Sequence, residues 1–435
     1  MIQPSKTSRL PLFLFTFIFS IACGLLFTDQ AHALTGTAQK VFQRNSQAVY
    51  QIRVIDIHSR EKYVIGSGFR ISRDGLFASN FHVISDVVDK PDQYRIEYFR
   101  KGRKVGNLTV EAIDVAHDLA ILRGEPTRKK PVRLGSSKQK QGTGVYPMGN
   151  PLDVGMVVLE GTYNGLVGDR PYQHILLSAA LNPGMSGGPA FDASGKVVGV
   201  NVAIEGNDLS YLVPVEYLIE LKESVKTGRG SKNWPEVIQE QVLARYKHII
   251  DKAVKSDWLF ENLGALKVPQ SILPGVVKCW GRSRSEDPSQ NAFVFYGDKR
   301  CQSDRNIFLS SNLSTGTIGY SFFWLESQSL SSLEFYKRFS AQYAQGNFYP
   351  YATSGEVTKF SCHNSFVALA SRNWKAAYCV RRYIKYPKLH DVFVSFAILG
   401  DSPRKYIIQV GMAGLTEPLA RNFLNKFMGS IQWTE

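Results

Sequence analysis

The 435-residue chain has little cysteine, five in all, and is short of acid, with 37 Asp and Glu against 52 Lys and Arg. Between Cys23 and Cys279 there is no cysteine. That excludes a disulfide framework for the first half, which must rest on its own apolar core, and a stretch of that length can bury one. No Cys-x-x-Cys pair and no Cys/His cluster has zinc spacing, so no metal site is expected and no cofactor is called for. From Trp258 onward there is no internal repeat and no low-complexity tract, which argues against a solenoid or a disordered tail. What is present is 44% hydrophobic and 12% aromatic content, the balance of a globular chain of two or three domains.

The most informative stretch is Asn182-Pro183-Gly184-Met185-Ser186-Gly187-Gly188-Pro189. It sets one hydroxyl on a glycine-rich turn where an apolar segment ends. Such a backbone can turn sharply, expose Oγ and aim the amides of Gly184 and Ser186 at one spot beside it, where a carbonyl oxygen gains negative charge. A serine hydroxyl is a poor nucleophile at neutral pH, so the motif calls for a histidine base and a carboxylate to fix its tautomer. Ser79-Asn80-Phe81-His82-Val83 follows the run Gly68-Phe69-Arg70-Ile71 and the Asp74-Gly75 turn, which puts His82 at a strand end. Asp118 stands at the mouth of the apolar strand Leu119-Ala120-Ile121-Leu122, where a carboxylate is costly to bury without partners. Taken singly, these are also an ordinary strand-end histidine and a turn aspartate; the order His, Asp, Ser beside the glycine motif favours catalysis.

Gly66-Ser67-Gly68-Phe69, Ser79 to Val83, Asp118 to Ile121, Met148-Gly149-Asn150-Pro151, Asn182 to Pro189, Gly195 to Asn201 and Tyr211-Leu212-Val213-Pro214 follow one another here. Their order resembles that of trypsin-like serine proteases of the HtrA (Deg) type, over roughly Thr37 to Glu223. The resemblance implies an all-β, two-barrel chymotrypsin-like domain with its cleft between the barrels. His82 is then the base, Asp118 its orienting partner, Ser186 the nucleophile, and the Gly184 and Ser186 amides the oxyanion hole. Met185 departs from the acidic or Asn residue of relatives, so the oxyanion loop needs other contacts to hold it. Ala180 stands where a basic-specific pocket needs a carboxylate. With Leu181 and Ile204, which match pocket-lining positions, it implies an S1 pocket for small to medium apolar side chains.

Lys6 and Arg9 precede an apolar run from Leu10 to Phe27, and Ala31-His32-Ala33 offers a cleavage site, so residues 1–33 read as an export signal, with an uncleaved membrane anchor as the alternative. Export places the enzyme in the periplasm or outside the cell. Four cysteines remain in the mature chain, Cys279, Cys301, Cys362 and Cys379, and an even number in an oxidising compartment suggests two disulfides. Three connectivities exist; pairing of sequence neighbours is preferred.

The basic, small-residue stretch from Lys226 to Lys232 reads as a linker, closing a protease domain over 34–226. Pro235 can start a helix, and Ile238, Val242, Tyr246, Ile249 and Ala253 recur at helical spacing, filling out 227–257. Residues 258–435 read as a smaller α+β domain, with strands at Ala292–Tyr296, Ile318–Trp324, Phe393–Ile398 and Tyr406–Val410, and helices at Ser332–Tyr343 and Pro418–Met428. It lacks the loop of the PDZ module that HtrA-type proteases usually carry. A net charge of +15 suits anionic envelope polymers or membranes, or is only a solvated basic face; export argues against nucleic acid.

Together these readings give an exported serine endopeptidase acting on polypeptides, unfolded or damaged ones above all. Two rivals stand beside it: a weakly proteolytic, chaperone-like peptide-binding protein, and a basic adhesion protein whose C-terminal domain is primary.

Overall fold

The computed structural model describes residues 36–434 except 152–153, 169–171, 205–208, 227–232, 273, 275, 286–293, 304–305, 328, 345, 347, 349 and 401, and the side chains of 203–204 and 284–285. The expected export signal and the seam after Lys226 lie outside the described residues.

Six antiparallel strands close the first barrel: β1 (Val49–Asp56), β2 (Lys62–Arg70), β3 (Leu76–Ser79), β4 (Tyr94–Arg100), β5 (Arg103–Asp114) and β6 (Leu119–Arg123), in the ring order β1-β2-β3-β6-β5-β4. Its interior is filled by Tyr50, Phe77 and Tyr98, whose rings meet edge to face at 5.0–5.4 Å, with Ile52, Ile96 and Leu122 around them. A second ring of six forms from β7 (Gly144–Gly149), β8 (Gly161–Val167), β9 (His174–Ser178), β10 (Pro189–Phe191), β11 (Lys196–Ile204) and β12 (Leu209–Pro214). It closes because β7 pairs with both β8 and β10. The all-β, two-barrel architecture expected from the resemblance is therefore present.

Between the barrels lies one apolar cluster, to which Phe69, Leu119 and Ile121 come from the first and Met148, Phe191 and Val200 from the second. Helix α1 (Gly36–Asn45) adds Ala38 and Val41 to it, and helix α3 (Val215–Lys226) adds Val215, Leu218 and Leu221. Between them in sequence, α2 (Phe81–Asp89) is inserted in the first barrel after β3.

Helix α4 (Trp234–Lys255) buries Ile238, Val242, Tyr246, Ile249 and Ala253, a stripe at spacings of three and four. That stripe bridges the first barrel and the C-terminal domain within a single apolar cluster. The domain contains a small three-stranded sheet, β13 (Leu259–Leu263) with β14 (Leu266–Ser271) and the C-terminal Gln432–Trp433 beside β14, and a seven-stranded antiparallel sheet. The large sheet is built from β15 (Val277–Ser285), β16 (Val294–Ser303), β19 (Ile318–Ser327), β20 (Ser361–Leu369), β21 (Arg372–Arg382), β22 (His390–Ile398) and β23 (Arg404–Leu415), in the order β15-β16-β19-β23-β22-β21-β20. A second hairpin, β17 (Ile307–Ser310) and β18 (Leu313–Thr315), stands apart from it.

Alternation along these strands gives the sheet two covered faces. Phe322 and Ile408, paired across β19 and β23, face α4 and α6 (Glu417–Gly429), whereas their neighbours Phe323 and Ile407 face α5 (Ser332–Ala344) with Phe335 and Phe339. Cys279 bonds to Cys301 and Cys362 to Cys379, each pair directly opposite across neighbouring strands. Of the strands expected here, the first runs Val294–Ser303; Ala292 lies outside the described residues. Those at His390–Ile398 and Arg404–Leu415 are longer than their sequence signal.

Candidate active site

His82 does not end a strand. Asn80, at φ −82° and ψ 153°, closes β3 and begins helix α2, so that His82 is the second residue of the helix. The first amides of a helix lack partners within it and carry partial positive charge. Asp118 supplies what they need: its Oδ1 accepts the His82 backbone N–H at 2.8 Å, and its carbonyl accepts from Phe81 N at 3.2 Å and Asn80 Nδ2 at 2.8 Å. Its other oxygen, Oδ2, meets His82 Nδ1 at 2.6 Å. Asp118 sits in the turn before β6 at φ 57°, a conformation that a short polar side chain tolerates. One carboxylate thus positions both the helix and its imidazole.

With Nδ1 committed, Nε2 is the nitrogen left to exchange a proton. Burial pulls the His82 pKa down, but the charge of Asp118 and its hydrogen bond outweigh this, and the net shift is upward from 6.5. The side chain keeps 28% exposure, so a substrate can reach it.

Ser186 lies on the loop between β9 and β10. Asn182 to Met185 form a type II turn closed by Met185 N donating to the Asn182 carbonyl at 3.0 Å, with Pro183 at the second position and Gly184 at the third, where φ of 94° requires glycine. No hydrogen bond from the Gly184 or Ser186 amide occurs among the described residues. Ser186 Oγ donates to the Val202 carbonyl at 2.9 Å, not to His82. Gly187, at φ 81°, packs so closely that an added Cβ would stand 2.3 Å from the Ser67 carbonyl and 2.9 Å from Asn80 N. The serine loop therefore abuts the segment that leads into His82.

Several supporting residues carried no role in the sequence reading. Ser67 Oγ donates to the Gly184 carbonyl at 2.7 Å and accepts from Asn150 N at 2.9 Å, while Ser67 N donates to the Ser186 carbonyl at 2.8 Å. Asn201 Nδ2 bonds the carbonyls of Met148 and Met185. These contacts hold the loop that Met185, buried in the second-barrel core, cannot hold through a charge. The glycines beside Ser67 face the other way: a Cβ on Gly66 would meet Val83, and one on Gly68 would meet Ile52 and the Ala78 carbonyl.

Other supports come from beyond the protease resemblance. Gln241 of α4 donates to the Ile113 carbonyl and accepts from Val115 N, both at 2.8 Å, and Arg245 donates to the Ala116 carbonyl at 3.0 Å. They clamp the approach to Asp118. Ser311, between β17 and β18, donates through N (3.2 Å) and Oγ (2.8 Å) to Asp86 of α2, and Lys385 pairs with Asp89 at 2.7 Å. Only the folded chain shows these long-range contacts.

Of the residues expected to line the specificity pocket, Ala180 is exposed, and Leu181 is buried among the second-barrel apolar residues with Ile175 and Met185. The Ile204 side chain lies outside the described residues.

A family model described as a trypsin-like peptidase domain matches residues 66–200. Residues 66–200 thus match a trypsin-like peptidase domain, and the relatives that this part of the chain resembles are of the HtrA (Deg) type. The chain is 32% identical over 198 residues to a probable periplasmic serine endoprotease DegP-like of Ectopseudomonas mendocina, covering 42% of this chain and 40% of that protein. To the protein of the same description from Brucella suis it is 37% identical over 182 residues, covering 39% and 34%. The chain thus spans about two-fifths or less of the length of these relatives. Among solved structures, Deg5 is 26% identical with a TM-score of 0.38, over 42% of this chain and 91% of that one.

Proposed function

We propose that this HtrA-type chain is an exported serine endopeptidase working through His82, Asp118 and Ser186. The observation that carries the reading is the 2.6 Å contact between His82 Nδ1 and Asp118 Oδ2, beside a serine on a glycine turn with two amides unengaged among the described residues. Ser186 Oγ leaves the Val202 carbonyl and turns to His82, whose Nε2 takes its proton as Oγ attacks the substrate carbonyl. The Gly184 and Ser186 amides stabilise the oxyanion. His82 then gives the proton to the departing amine, leaving an acyl-enzyme, and water repeats the sequence to release the acid. Asp118 holds the imidazole in register throughout.

Ala180 offers a basic side chain no counter-charge, which supports cleavage after small to medium apolar residues of unfolded polypeptides. Periplasmic export is supported by the N-terminal sequence and by the description of the relatives as periplasmic. In this reading residues 34–226 form the peptidase, 227–257 a linker and helix, and 258–435 a domain that braces them, while the basic surface offers contacts for anionic envelope polymers.

The bond from Ser186 Oγ to Val202 favours one rival, a chaperone-like protein that grips peptides and turns over slowly. A fluorophosphonate probe and an unfolded casein substrate distinguish the two. The mature protein should label and cleave after apolar residues, and Ser186→Ala should lose both by at least about a thousandfold. A folded wild type that binds casein but neither labels nor cleaves establishes the rival.

A further inference from the structure

The C-terminal hairpin places one aromatic ring at the active site. On β17, Ile307 and Leu309 point inward and are buried, whereas Phe308 points outward and stays 37% exposed. Its ring stands edge-on to the His82 imidazole, with centroids 6.2 Å apart and planes at 78°. Strand alternation accounts for its direction, but an exposed aromatic ring lacks the burial that usually repays it.

The hairpin that carries it is well fixed. Ser311 bonds the buried Asp86, about one and a half helical turns beyond Phe81, Tyr63 Oη bonds Ser311 Oγ at 3.0 Å, and Ser314 N donates to the Tyr351 carbonyl at 2.9 Å. Tyr63, itself exposed, is stacked on Tyr94 of the first barrel at 4.6 Å. A rigid apolar wall at this place suits a substrate side chain.

We propose that Phe308 determines specificity: it forms the wall of the substrate cleft beside His82 and selects an apolar side chain next to the residue whose carbonyl Ser186 attacks. In an extended substrate, neighbouring side chains point to opposite sides. If the residue at the scissile carbonyl faces the second barrel, where Ala180 lies, then its neighbour faces the first barrel, and there it meets His82 and Phe308. The C-terminal domain thereby supplies part of the substrate site. This rests on the serine endopeptidase reading.

The test uses the full mature chain and a peptide that it cleaves, with Leu or Gly placed at each of the two positions flanking the scissile residue. Wild type should prefer Leu about tenfold in kcat/KM at one of them. Phe308→Ala should reduce that ratio to about twofold, and Phe308→Leu should restore part of it. Phe366→Ala, an exposed phenylalanine on β20, should leave the ratio as in wild type. A wild type without preference at either position overturns the proposal, as does a Phe308→Ala ratio equal to the wild-type ratio. Equal losses on the Leu and Gly peptides would make Phe308 a support for His82 and not a selector, which also overturns it. Failure of the wild type to label with fluorophosphonate removes the protease reading, and this inference with it; labelling without the selectivity change removes only the inference.

Discussion

The two barrels have no free edge, because each closes on itself with six strands, whereas the seven-stranded C-terminal sheet has two. The cysteines follow that difference. Cys279–Cys301 ties edge strand β15 to β16, and Cys362–Cys379 ties the opposite edge strand β20 to β21. An edge strand is paired on one side only, and β20 is exposed along most of its length, so burial does little to retain it. Ring closure makes such crosslinks unnecessary in the barrels. The comparison also explains how a half without disulfides can hold the candidate site: the segments that carry His82 and Asp118 are clamped by Gln241, Arg245 and Ser311 from the half that has them.

Removing the crosslinks tests this division most strongly. Replacing both cysteines of either bridge by serine should lower stability by about 3 kcal/mol, as loops of 22 and 17 residues suggest. Calorimetry should show the sheet transition at lower temperature, and cleavage should fail at the temperature where the sheet melts. Activity that survives above that transition would mean that the barrels need no brace.

Ser67→Ala probes a support within the barrels and should have a smaller effect. It leaves the Gly184 carbonyl and the Asn150 amide without their partner and loosens the turn that carries the proposed oxyanion donors. Steady-state kinetics should show kcat lower by about ten- to a hundredfold, with KM changed far less. A drop in melting temperature at unchanged kcat would instead make Ser67 a purely structural residue.

Local chemistry decided what was legible in the sequence. The serine loop could be read because Pro183, Gly184 and Gly187 each meet a backbone demand that other residues satisfy poorly. The α4 stripe was legible through its spacing. Strands β20 and β21 were not: Ser361–Leu369 is mostly polar up to Ser365 and apolar after it, lies exposed at an edge, and lacks the alternation that marks a half-buried strand. Phe308 and Ser311 gave no signal, since their meaning depends on a helix more than two hundred residues away. Placing His82 at a strand end missed the turn at Asn80, because Phe81-His82-Val83-Ile84 reads as apolar in either conformation.

The smallest expected effect concerns the Asp118–His82 pair itself. With the His82 pKa raised above 6.5 in the folded chain, the protonated pair contributes stability that is fully present below 6.5 and is lost as pH rises through the folded value. Catalysis has the opposite sign, because only neutral imidazole accepts the Ser186 proton. Fluorophosphonate labelling should therefore increase with pH and reach half its maximum above 6.5. Thermal stability measured across the same window should fall slightly as labelling rises. A midpoint below 6.5 would show that burial, which depresses the imidazole pKa, outweighs Asp118, and the clamp on this pair would then be looser than its 2.6 Å contact implies.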